Sequence, residues 1–279
     1  MKKFLFVLFT FGYVSVMLAQ ETTTCCGLPA TDAFARFASD DEFNQKHPNP
    51  IPYEHKSDVG RTIIFKAADG TDAYGYELKA KKPTDQYLFV IHEWWGLNGY
   101  IKKEAEKLYN DLGIHVIALD LYDQKIATNR EEAAKYMQSV SKARAEAIIK
   151  GALNYVGNKA DIYTIGWCFG GGWSLQTSIM AGKQAAGCVM YYGMPEKEVD
   201  RLKKLKTDVL GIFANKEKWI TPEVVDTFAE NMDKANKTLV LKRFDAEHAF
   251  ANPSNPQSDQ EATEAAYKAT IGFLEERID

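Results

Sequence analysis

Residues 162–180 constrain this chain most. The run Ile162-Tyr163-Thr164-Ile165 is apolar and β-branched, as a buried strand requires. It leads into Gly166-Trp167-Cys168-Phe169-Gly170-Gly171-Gly172 and then into a helical pattern, Ser174 to Met180. Strand, Gly-x-nucleophile-x-Gly and helix in succession form a nucleophile elbow. Its turn is sharp enough that a β-carbon on the flanking positions would clash, hence the glycines. The residue so exposed above the sheet and beside a helix N-terminus is Cys168.

The rest of the chain supplies the sheet that such an elbow needs. Strand-like runs fall at residues 62–66, 74–78, 87–91, 115–119, 162–165, 186–191, 209–213 and 239–244, the first two flanking the turn Ala68-Asp69-Gly70 as a hairpin. Helical patterns fall at residues 100–112, 130–156, 172–181, 196–204, 221–235 and 260–277. Strands alternating with helices demand a mostly parallel sheet with helices on both faces. With the elbow, this predicts an α/β-hydrolase fold, class α/β, over residues 61–279. The 279 residues suffice for one such domain. In it the site lies off the carboxyl ends of the strands.

Two segments precede that domain. Lys2-Lys3 and an almost unbroken apolar run, Phe4 to Leu18, read as a secretory signal peptide over residues 1–20. Its roughly 15 apolar residues are short for a span of about 20. The expectation is a secreted or periplasmic protein, not associated with a membrane once the leader is removed. Residues 21–60 are polar, rich in proline and irregular, with one short helix expected near residues 32–38. The formal net charge is −4, with no basic block, which argues against nucleic acid as a partner. Export would put the four cysteines in an oxidising compartment. Cys25 and Cys26 are adjacent, and a bond between neighbours is strained; Cys188 lies in the apolar run 186–192 and reads as a small core residue. No metal or organic cofactor is expected, and nothing indicates the oligomeric state.

Three strand ends carry chemistry. A free thiol has a pKa near ~8.5, so Cys168 needs a base and an electropositive setting. His248, after the last strand, is the sole histidine beyond Cys168. It stands where the chain order nucleophile, acid, histidine puts the base. The acid should follow the strand at residues 209–213, where the loop Ala214 to Pro222 carries one carboxylate, Glu217. Glu217 would orient the His248 ring and stabilise the imidazolium. Asp208 and Asp245 are poorer candidates, at the wrong strand end or too near the histidine. A further loop, His92-Glu93-Trp94-Trp95-Gly96-Leu97-Asn98, follows the strand at 87–91. It should give the second oxyanion-hole amide, so the N–H groups of Trp94 and Phe169 would receive the developing charge. A carboxylate there, Glu93, repels that charge and must act earlier or turn away.

These segments together resemble the dienelactone hydrolase (carboxymethylenebutenolidase-like) family over most of residues 60–279. The likeness rests on residues 92–98, Asp120-Leu121-Tyr122, residues 166–171, Met190-Tyr191-Tyr192-Gly193 and His248-Ala249-Phe250. It implies a Cys168–His248–acid triad, with Glu217 where the family usually has aspartate. It implies that Glu93 meets the thiol in the resting enzyme and helps generate the thiolate. It also implies a substrate contact from Arg130, with Asn252 at the place of a second carboxylate-binding arginine. Trp94 and Trp95 read from the sequence either as pocket lining or as core, and Trp95 and Tyr192 are expected to contact the substrate. The expected activity is hydrolysis of a small ester or lactone through an acyl-enzyme. The rivals are a thioesterase with the same residues and a non-catalytic binding module on the same fold.

Overall fold

The computed structural model describes residues 30–278. The leader expected at residues 1–20, and Cys25 and Cys26, lie outside them. Helix α1 (Ala30–Ala35), a 3-10 turn (Arg36–Ser39) and α2 (Asp41–Gln45) come first. Asp40 caps α2, its carboxylate accepting from the amides of Glu42 and Phe43. The extension thus holds more regular structure than the single short helix expected.

An eight-stranded sheet follows, in the order β1-β2-β4-β3-β5-β6-β7-β8. Strands β1 (Gly60–Lys66) and β2 (Asp72–Leu78) form the expected hairpin, and β2 pairs antiparallel with β4 (His115–Asp120). The other neighbours are parallel: β3 (Gln86–Ile91), β5 (Asp161–Trp167), β6 (Ala185–Tyr191), β7 (Val209–Ala214) and β8 (Leu239–Phe244). Burial follows position in the sheet. The inner strands β5, β6 and β7 are buried along nearly their whole length. Edge strand β1 instead alternates, with Ile63 and Phe65 inward and Ile64 exposed.

Helix α3 (Gly99–Leu112) packs beside α9 (Gln260–Glu275), and α5 (Lys142–Val156) beside α6 (Phe169–Ala181). The segment 130–156, expected as one helix, is two: α4 (Arg130–Ser139) and α5. Val140 is extended between them, and the Ser141 hydroxyl caps α5 at the Arg144 amide. The helix expected at 196–204 shrinks to α7 (Val199–Leu202), because the Glu196 carboxylate captures the amides of Lys197 and Glu198. Helix α8 (Pro222–Lys234) opens with proline at its first position. Helix α6 starts three residues earlier than the glycine run suggests, directly after the elbow residue.

Candidate active site

The elbow is built as its glycines require. A β-carbon on Gly166 would sit 2.1 Å from the Gly170 carbonyl oxygen, and one on Gly170 would sit 2.3 Å from that of His92. No side chain fits in either place, so β5, the turn and α6 close tightly. Cys168 adopts φ 56°, ψ −119°, a conformation few non-glycine residues occupy. Its amide donates to the Tyr191 carbonyl at the end of β6 (3.0 Å). The strained turn is thereby tied to the neighbouring strand.

The other two triad candidates come from the ends of β7 and β8. Cys168 Sγ lies 3.4 Å from His248 Nε2. His248 Nδ1 donates to Glu217 Oε2 in a short bond, and Glu217 Oε1 accepts from the Trp219 amide (3.1 Å). The carboxylate fixes the tautomer, leaving the Nε2 lone pair for the thiol. Burial pushes the Glu217 carboxyl up, but the attraction and hydrogen bond of His248, with the amides of Trp219 and Ile220, outweigh it and hold the group below the ordinary range. Burial, reinforced by the charges of Glu93 and Glu217, pushes the Cys168 thiol well above its ordinary pKa against the pull of the Phe169 amide.

Glu93 does not hold the resting thiol as the family likeness implied. Its Oε2 accepts from the Trp95 amide (2.7 Å) and its Oε1 from the Ser254 hydroxyl (2.7 Å). Ser254 is positioned in turn by Asn252 Oδ1, which accepts its amide, and by Asn98 Nδ2. Two loops, those after β3 and β8, thus converge on a carboxylate already turned aside, and Asn98 also caps α3. Burial raises Glu93 to about 7, against the hydrogen bonds of Ser254, Trp95 and Asn252. The neighbouring His92 is structural: Nδ1 donates to the Glu93 carbonyl and Nε2 accepts from the Leu121 amide, joining the loops after β3 and β4.

A second imidazole faces the sulfur instead. His47 Nε2 lies 3.8 Å from Cys168 Sγ, while His47 Nδ1 donates to the Phe43 carbonyl (2.8 Å). Burial, then the proximity of His248, lowers its pKa to about 3, so the ring is neutral. Sequence reasoning missed this residue. The signal was faint: one histidine at the end of a helix of five residues, far from every motif.

The extension that carries it covers the site. The Phe43 ring packs against the rings of His47 (4.4 Å), Trp219 (5.0 Å), Trp94 (5.4 Å) and His248 (5.4 Å). His47 stacks on Trp94 (5.1 Å, 26° between planes). Asp40 accepts from the Trp219 indole (3.0 Å). Lys46–Glu247 and Glu42–Lys218 pairs tie the segment to the loops that carry His248 and Glu217. Cys168 and Glu93 are 0% exposed, and Glu217 and His248 6%.

The expected substrate-contact residues divide. Tyr192 is at the site, its ring 5.1 Å from that of His248. Trp95 is fully buried, its ring edge-on to that of Trp94. Arg130, expected as a carboxylate clamp, instead donates from Nε to the His47 carbonyl (2.8 Å) and helps seat the extension.

The chain is similar to known proteins over most of this fold. Residues 72–278 match the family model described as "Dienelactone hydrolase family". A carboxymethylenebutenolidase of Pseudomonas sp. (strain P51) is 32% identical over 201 residues, covering 67% of this chain and 83% of the relative. A putative carboxymethylenebutenolidase of Saccharolobus solfataricus is 26% identical over 253 residues, covering 76% and 96%. Among solved structures, a putative dienelactone hydrolase from Klebsiella pneumoniae superposes with a TM-score of 0.65 at 20% identity, covering 77% of this chain and 98% of that one. The match begins at residue 72, so α1, α2 and His47 stand outside the part that is shared. From β2 to the end of α9 this chain belongs to the dienelactone hydrolase family.

Proposed function

We propose that this protein is an exported hydrolase that cleaves a small ester or lactone through Cys168. The observation that carries the reading is the relay Cys168 Sγ, His248, Glu217, with 3.4 Å between sulfur and Nε2. His248 Nε2 takes the thiol proton as Sγ attacks the substrate carbonyl carbon. The carbonyl π pair moves onto oxygen, and the amides of Trp94 and Phe169 receive that oxyanion; one such donor typically contributes about 3 kcal/mol. Collapse re-forms the carbonyl and expels the alkoxide, which takes the proton from His248. Water, deprotonated by the same ring, then attacks the thioester, releasing the acid and restoring the thiol. Glu217 stabilises the imidazolium throughout.

A substrate cannot meet a sulfur that is 0% exposed without displacing the Phe43–His47 segment. A cleft lined by Gln45, Lys46, Glu247 and His248 marks where that segment meets the catalytic loop. Trp94, Trp95 and Tyr192 would line the opened pocket. Asn252 in place of a second arginine, and Arg130 held by His47, point to substrates that need no two-arginine carboxylate clamp. The leader-like residues 2–18 support export. Cys168→Ala, assayed on p-nitrophenyl acetate and simple lactones, should lose turnover; unchanged turnover would remove Cys168 from the mechanism. Thioesters in the same panel separate the thioesterase alternative.

A further inference from the structure

Two imidazole nitrogens and one sulfur converge from three parts of the chain. Cys168 Sγ, His47 Nε2 and His248 Nε2 all lie within 4.8 Å of one another. Zinc held tetrahedrally, with Zn–S about 2.3 Å and Zn–N about 2.0–2.1 Å, separates its sulfur and nitrogen ligands by about 3.5 Å. The two S···N distances here, 3.4 and 3.8 Å, bracket that value. The far nitrogens are arranged for the same purpose. A zinc-binding histidine donates its other N–H to a carboxylate or a backbone carbonyl, which sets the tautomer and aims the lone pair. His248 donates to Glu217 and His47 to the Phe43 carbonyl. Both lone pairs are thus fixed toward the sulfur, although the hydrolytic relay uses only one of them.

We propose that Cys168, His47 and His248 form a three-ligand site for a thiophilic divalent cation, with zinc as its representative, and that the bound cation switches the nucleophile off. A thiolate with two imidazoles selects zinc over hard cations such as magnesium. On binding, the Sγ–H bond breaks and a Zn–S bond forms. The proton leaves to solvent, each Nε2 contributes its lone pair, and nothing is oxidised or reduced. The sulfur can then no longer attack a carbonyl, and His47 staples the extension to the catalytic loops. The inhibitory half of this inference rests on the hydrolase reading above; the binding half does not.

The test titrates zinc chloride into the full-length protein by calorimetry and, in parallel, follows p-nitrophenyl acetate hydrolysis normalised to each variant's zinc-free rate. One zinc should bind per chain, with no heat from magnesium. Removing a direct ligand should cost at least the roughly tenfold that outer-shell changes cost. His47→Gln should therefore weaken binding by that factor and raise the zinc concentration for half-inhibition in step. Cys168→Ser should abolish binding at this site. Arg130→Ala, which loosens the seat of His47 but keeps all three ligand atoms, should retain binding. The proposal is overturned if affinity is unchanged in His47→Gln, if zinc is still held in Cys168→Ser, or if Arg130→Ala loses as much as His47→Gln. Zinc binding as described with no hydrolysis of any substrate would support the site and sink the hydrolase reading instead.

Discussion

Phe43 is the residue on which coverage of the nucleophile turns, and Phe43→Ala tests it. Its ring is 0% exposed and meets His47, Trp94, Trp219 and His248, besides Phe34 and Phe37 in its own segment. Truncating a buried phenylalanine to alanine costs about 3–5 kcal/mol. That loss falls on the docking of α2, since the sheet and its covering helices do not depend on this ring. At about 1.4 kcal/mol per factor of ten, the lower figure shifts the open-to-closed ratio about 100-fold. Opening also admits water to the sulfur, which brings its raised pKa back down and increases the thiolate fraction. Both effects act in one direction. The assay is alkylation of Cys168 by iodoacetamide, followed by peptide mass spectrometry. Cys188, buried under the Ser174 hydroxyl, is the internal reference. Cys168 should react about two orders of magnitude faster and Cys188 at its former rate. An unchanged Cys168 rate, or equal acceleration of both, would refute the idea that this ring holds a local cover.

Two further outcomes follow from the same geometry. Glu217→Gln should lower kcat by roughly 10³–10⁴-fold with little change in the melting temperature, because the amide no longer fixes the productive tautomer of His248; a loss below tenfold would move the acid elsewhere. Glu93→Gln should stabilise the fold at pH 8. The buried carboxyl has its pKa raised from 4.5 to about 7, so its stabilising contribution is complete below pH 4.5 and is lost as pH rises through 7. The difference is worth about 3 kcal/mol. The variant's melting temperature should exceed that of the parent at pH 8 and match it near pH 4, and equal pH dependence in both would contradict the burial argument.

The elbow, the alternation of strands and helices and the order Cys168, Glu217, His248 are legible in the chain because each rests on local geometry. Glycines stand where a β-carbon would meet backbone, apolar runs where a parallel sheet is covered on both faces, and one histidine follows the nucleophile. The break between α4 and α5 was hidden, because Val140-Ser141 sits inside an uninterrupted amphipathic pattern and only the Ser141 cap reveals it. The destination of Glu93 was hidden too, since Ser254 lies 161 residues away.

By itself, then, the sequence determined the architecture and which three side chains, Cys168, His248 and Glu217, meet off the strand ends, through contacts between near neighbours and through strand-end positions that every sheet of this kind shares. Only the tertiary structure decided what sits on the sulfur. His47 lies 121 residues from Cys168, in a segment with no period to announce it. Its place follows from Phe43 finding an aromatic socket among Trp94, Trp219 and His248, a fit that exists only once the loops from β3, β7 and β8 have been brought together.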